Sequence, residues 1–78
     1  MGRDSAIIRT VAENVRRLRA AAGLSQEQLA FAAELDRTYI SQVEGQKRNI
    51  TISALAQLAK ALKVEPTELV AETKKRKK

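Results

Sequence analysis

The side chains able to do chemistry in this chain are few and of one kind. Its 78 residues include no histidine and no cysteine. That removes the commonest general base, the commonest zinc ligand and all thiolate chemistry. The nine Asp and Glu are scattered, with no close pair at a spacing suited to acid–base work. From such a set we expect no catalytic residue, no metal and no cofactor. What remains is hydrogen bonding and charge. Its densest supply is "LDRTYISQVEGQKRNIT", residues 35–51, where Arg37, Thr38, Ser41 and Gln42 surround an apolar pair, Ile40 and Val43, and a polar, basic "QKRN" follows.

Those groups are useful only if something rigid presents them. Ile8, Val11, Ala12, Val15, Leu18 and Ala22 recur at i, i+3, i+4, i+7 spacing, so a first helix carries one apolar face. Asp4 or Ser5 is its expected cap, and Gly23 its left-handed stop. Arg16 and Arg17 fall on the solvated side, while Arg19 lies near the apolar stripe and needs a partner if drawn inward. Ser25 opens a second helix, with Gln28 completing a capping box. Leu29, Ala30 and Ala33 form its inward face, and the small Ala30 permits a close helix–helix approach. Glu34 ends it. Asp36 caps a third helix almost at once, and two short helices joined by about three residues have the helix-turn-helix pattern. With Leu35, Ile40 and Val43 facing inward, Arg37, Thr38, Ser41 and Gln42 face solvent. Gly45 terminates the third helix. Thr51 caps a fourth with Ile52, Leu55, Leu58, Ala59 and Leu62 as its stripe, and Glu65 caps a fifth opened by Pro66. No strand-like alternation and no repeat occurs.

Length allows one domain, expected over residues 1–72. The net charge of +6 is unevenly spread. "TKKRKK" holds five of the fifteen Lys and Arg, so residues 1–73 have ten basic against nine acidic groups, a net of +1. Attraction to a polyanion must therefore come from local clustering of Arg37, Lys47 and Arg48, and from the tail. Residues 73–78 read as a basic, disordered tail that is either simply solvated or adds phosphate contact. No apolar run reaches the roughly 18 residues of a membrane span, and "MGRDSAIIRT" lacks a signal peptide's apolar core, so a soluble, cytoplasmic bacterial protein is expected.

The blocks "GLSQEQLA", "LDRTYISQVEGQKRNIT" and "LAQLAKALKVEPTELV" stand in this order within about residues 8–71. Together they resemble the XRE/Cro-type helix-turn-helix domain of phage repressors. The form "LDRTYIS…E…RN.T" is most similar to the small controller proteins that time expression of restriction–modification systems. The resemblance implies an all-α, compact five-helix, lambda repressor-like domain with helices 2 and 3 as the helix-turn-helix. It also implies a DNA-binding transcription regulator whose third helix enters the major groove. In that setting Arg37, Thr38, Ser41 and Gln42 would contact bases. Arginine can give guanine O6 and N7 two parallel hydrogen bonds, worth about 1–3 kcal/mol of discrimination, and a cation at this position otherwise opposes the helix dipole. Gln26 would contact a phosphate and brace the recognition helix. Tyr39, Lys47, Arg48, Asn49 and Ser53 would position the backbone. For Ser53 a plain first-turn role, and for Tyr39 a ring packed on helix two, are alternatives. Arg19 and Glu44 correspond to the family's internal ion pair. Glu34 departs from the family, which commonly has glycine or asparagine there in a left-handed turn. Either the turn tolerates a cost on the order of 1 kcal/mol or its geometry differs.

One helix in one groove contacts few base pairs, so a homodimer on a pseudo-palindromic, double-stranded operator is expected. Leu62, Val64, Leu69 and Val70 exceed what so small a core should hide, and they are the expected interface. Phe31, on the outer side of helix two, is expected to fold over the edge of the core; the alternative is the surface through which some phage repressors touch RNA polymerase. The rival functions are an antitoxin or phage-type repressor with the same DNA mode, and a protein-interaction module on the same fold. The second would suit acidic or apolar residues at 37, 38, 41 and 48, which this chain does not have. Without an effector domain no small-molecule ligand is expected.

Overall fold

The computed structural model describes residues 3–72 and contains five helices: α1 (Arg3–Ala21), α2 (Gln26–Ala33), α3 (Arg37–Glu44), α4 (Ile52–Leu62) and α5 (Pro66–Val70). No strand occurs among the described residues. The expected basic tail, 73–78, lies outside them. α1 packs against α3, α4 and α5, while α2 is held between α3 and α4. Val15, Leu29, Ile40, Leu58 and Leu69 are completely buried at the centre, one from each helix. Buried alanines at 12, 30, 33, 54 and 59 leave no long side chain to hold the helices apart, so the backbones approach closely.

The starts of the helices follow local chemistry. Ser25 Oγ accepts the Gln28 N–H at 3.0 Å while Gln28 Oε1 accepts the Ser25 N–H at 2.8 Å, a reciprocal box. Thr51 Oγ1 accepts the Ala54 N–H at 3.0 Å. Asp36 occupies the N-cap of α3 without a side-chain bond. α1 is already helical at Arg3, so Asp4 and Ser5 fall inside its first turn rather than at its cap.

The ends of α1 to α4 share one device, whereas α5 runs out into extended backbone at Ala71. Gly23 (φ 74), Glu34 (φ 60), Gln46 (φ 63) and Lys63 (φ 62) are left-handed, and each next residue donates its N–H to a carbonyl five positions back: Leu24 to Arg19, Leu35 to Ala30, Lys47 to Gln42 and Val64 to Ala59. Glu34 therefore keeps the family's turn geometry and accepts the strain, on the order of 1 kcal/mol for a residue with a Cβ. Leu24, Leu35 and Val64 then pack on the core, the apolar contact that normally accompanies this turn. At α3 the equivalent residue is the exposed Lys47, so that end lacks the apolar clasp. Gly45 is not the left-handed residue (φ −85). Its lack of a side chain matters because a Cβ there would sit 3.1 Å from the Ser41 carbonyl oxygen.

Four expectations about the core need correction. Leu69 is 0% exposed and Leu62 is buried within a single chain, so neither can form the centre of a dimer interface. Leu62 belongs to the core that α4 packs into; for Leu69 the reason is Asn14 of α1, itself buried. Its Nδ2 donates to the carbonyls of Leu69 at 2.9 Å and Ala71 at 2.8 Å, drawing the end of α5 onto α1. Ile52 is 84% exposed and Phe31 is 87% exposed. Ile52 is the first residue of α4, where the helix has not yet turned onto the core, and the ring of Phe31 stands in solvent instead of folding over the core edge. Ala22, beyond the end of α1, is exposed as well.

Candidate nucleic-acid interface

α3 has one face with no freedom. Ile40 and Val43 are buried, which fixes the rotation of the helix about its axis to within the fit of those two side chains. The same 3.6-residue period then turns Arg37, Thr38 and Ser41 outward, and all three are exposed. None of their side chains is bonded to a described residue. Gln42 lies at the margin, half-buried.

The C-terminal end of α3 is fastened by Glu44, which is 3% exposed. Arg19 grips its carboxylate with both arms, Nε to Oε2 at 2.6 Å and Nη2 to Oε1 at 3.0 Å, and spends Nη1 on the Leu24 carbonyl at 2.8 Å. Gln26 Nε2 donates to Oε1 at 3.1 Å. Arg16 Nη2 donates to the Glu44 backbone carbonyl at 2.9 Å. Burial pushes the Glu44 carboxyl up, but the hydrogen bonds from Arg19 and Gln26, with the charges of Arg19 and Arg16, outweigh it and hold the group below its ordinary value. The same hydrogen bond raises Arg19, against the opposing pull of burial. A carboxylate buried beside this many donors stays ionised, so α3 is tied at once to α1 and α2.

The loop after α3 is tied from the other side. Tyr39, packed at the edge of the core, accepts the Thr51 N–H on its phenolic oxygen at 3.2 Å. The Arg48 guanidinium lies 4.8 Å above its ring centroid, and Arg48 Nε donates to Gln42 Oε1 at 2.8 Å. Tyr39 thus joins α3 to the start of α4 and carries Arg48. Lys47 and Asn49 are exposed and bonded through their side chains to no described residue. Ser53 is exposed, with Oγ a long 3.4 Å from Gln57 Oε1.

Of the residues expected to contact nucleic acid, Arg37, Thr38 and Ser41 share one exposed face, with half-buried Gln42 at its margin and the exposed Lys47, Arg48 and Asn49 following in the loop. Gln26 is placed apart from them in its bonding, with its amide nitrogen given to Glu44. Three structural residues escape the pattern reading: Asn14, Arg16 and Gln57, whose Nε2 donates to the Ala33 carbonyl at 2.8 Å. Each bonds carbonyls at the end of another helix. Asn14 was accessible from register, since it lies three residues after Val11 and four before Leu18, and an amide on an apolar stripe needs a buried partner.

No described helix is long and apolar enough to cross a membrane. A family model described as helix-turn-helix matches residues 15–69. The control protein C.SmaI of Serratia marcescens is 52% identical over 60 residues, which is 77% of this chain and 71% of that protein. The crystal structure of the restriction–modification controller protein C.AhdI from Aeromonas hydrophila superposes with a TM-score of 0.79 at 45% identity, covering 82% of this chain and 97% of that one. A controller protein, C.Esp1396I, solved as a tetramer in complex with its natural 35 base-pair operator, superposes with a TM-score of 0.75 at 36% identity, over 81% of this chain and 83% of that one.

Proposed function

We propose, from the premise that this chain belongs to the XRE-type helix-turn-helix family, that it is a sequence-specific, double-stranded DNA-binding transcription regulator of the restriction–modification controller type. The observation that carries this reading is the division of α3. Ile40 and Val43 are buried, and the opposite face presents Arg37, Thr38 and Ser41 with unused donors and acceptors. A helix held that firmly, with its first turn free, can enter a major groove without rearranging.

Arg37 reads guanine through O6 and N7, and Thr38 offers a hydroxyl and a methyl that suits thymine. Ser41 and Gln42 lie one turn further along. Lys47, Arg48 and Asn49, with Gln26, Tyr39 and Ser53, set the approach to the phosphates. Tyr39 and Gln26 also brace α3 internally. The functional unit is a homodimer on a pseudo-palindromic operator, as one helix reads too few base pairs alone. With Leu62 and Leu69 inside the core, pairing falls to what α1 and α5 leave outside, Ile7 at 46% and Val70 at 39% exposure, with half-buried Val64 nearby in sequence. A Val70→Asp variant then stays folded and sediments as a monomer. The dimer works in the cytoplasm, repressing where it blocks polymerase and activating where it binds upstream of it.

Selection of bound sequences from a random duplex pool tests the proposal. A two-fold-symmetric site with guanine at mirrored positions is the expected result, and a pool that yields no symmetric site overturns it. A plot of log affinity against log salt should have the negative slope of phosphate contact, and a slope near zero contradicts it.

A further inference from the structure

The loop arginine and the last polar residue of the α3 face are bonded to each other, which a phosphate contact alone would not require. Arg48 Nε donates to Gln42 Oε1 at 2.8 Å, and the guanidinium carbon lies over the Tyr39 ring, 4.8 Å from its centroid. Tyr39 in turn accepts the Thr51 N–H, and Thr51 caps α4. A continuous chain of contacts therefore runs from the start of α4 to one side-chain amide on the exposed face. A cation over a ring together with an N–H directed from the same group is a pairing that the rigid fork of arginine suits and the point charge of lysine does not.

A glutamine amide has an acceptor end and a donor end, and left alone it can turn over to offer either. A guanidinium has donors only, so the amide atom it faces must be oxygen. With the oxygen taken by Arg48, the Nε2 donors are the end of the Gln42 amide left without a partner among the described residues. We infer that Arg48 is a positioning residue for base readout, fixing the polarity of the Gln42 amide so that it selects a base with a major-groove acceptor and rejects one without. Guanine, thymine and adenine each show an acceptor there, whereas cytosine shows only its amino donor. The base discriminated against is cytosine. The inference rests on the DNA-binding reading and adds to it a determinant of specificity that acts without itself touching the base.

The experiment uses the full chain and the symmetric site obtained by selection, with each base pair of a half-site replaced in turn and competed against the parent. Gln42→Ala first identifies the position it reads. The wild type should bind the cytosine substitution there about five- to tenfold more weakly than the others, as expected for one mismatched donor. Arg48→Ala and Arg48→Lys should each flatten that preference, with preferences elsewhere intact. Arg48→Lys should also keep the wild-type salt slope, since the charge is retained. The double variant Gln42→Ala, Arg48→Ala should show no further flattening. Uniform weakening by Arg48→Ala with the cytosine penalty intact reduces Arg48 to a phosphate contact and overturns the inference. So does a Gln42→Ala variant with unchanged preference at every position. A wild-type chain that selects no sequence at all overturns the DNA-binding reading itself, and the inference falls with it.

Discussion

At its C-terminal end α3 carries Glu44, buried and held by Arg19, Gln26 and Arg16; at its N-terminal end it carries Arg37 and Thr38, exposed and with side chains bonded to no described residue. Eight residues of one helix thus divide between two tasks. Polar groups at the buried end are saturated, because an unmatched one there would cost its full desolvation. Polar groups at the exposed end are left unmatched at no such cost, since water serves them until a ligand does. The lesson is that rigidity at one end is what makes the free groups at the other useful: a donor is presented at a defined place only if the helix beneath it cannot shift. Stability and recognition should therefore separate under mutation.

The largest effect belongs to the buried end. Arg19→Ala leaves the Glu44 carboxylate without its bidentate partner and should cost about 3 kcal/mol in urea unfolding. Replacing both, as Arg19→Met with Glu44→Leu, should cost less than Arg19→Ala alone. The pH dependence follows with a definite sign. The folded carboxyl lies below its ordinary value, so its contribution is fully present above the ordinary carboxylate range and disappears as pH falls through the lowered folded value. In Arg19→Ala burial is left with less opposition, and acid unfolding should begin at a higher pH than in the wild type. Acid unfolding at the same pH in both would show that the pair is not what holds α3.

Next in size is the clamp on α5. Asn14→Ala removes two hydrogen bonds to the Leu69 and Ala71 carbonyls, one of them buried, and should cost about 1–3 kcal/mol. If α5 carries the pairing surface, this variant should also dimerise more weakly, as read by sedimentation across a concentration series. The smallest effect is expected at Glu34. Glu34→Gly relieves the strain at φ 60 but loosens the unfolded chain, for a net gain of roughly 0.5 kcal/mol in urea unfolding and no change in the selected DNA sequence. A clear loss of stability would mean that the side chain of Glu34 contributes something the turn geometry does not reveal.

The difference between the two ends of α3 also marks what the sequence could disclose. Ile40 and Val43, at helical spacing beside four hydrogen-bonding residues, were enough to place the outward face, because periodicity sorts residues by side whatever the neighbours are. The caps at Ser25 and Thr51 were equally legible, since their bonds close within three residues. Hiding Leu69 was not, as the end of α5 is held by Asn14 from 55 residues away along the chain, nor was Leu62, whose burial comes from packing of α4 in the common core. Phe31 and Ile52 carry apolar side chains at positions the packing leaves outside, which composition cannot foresee. The link from Arg48 to Gln42 spans a loop whose path is set by Gln46, a left-handed residue with no glycine to announce it. Local bonds and periodic faces are written in the sequence; contacts that need the chain to return are not.

Arg37→Ala puts the central separation to the most direct test, with thermal unfolding and sequence selection performed on the same preparation. The stability should equal that of the wild type to within about 0.5 kcal/mol, as expected for an exposed site. The guanine preference should disappear from the selected half-site, with a loss of about 1–3 kcal/mol for the parent sequence. An unchanged selected sequence, or a destabilisation comparable to that of Arg19→Ala, would contradict that separation.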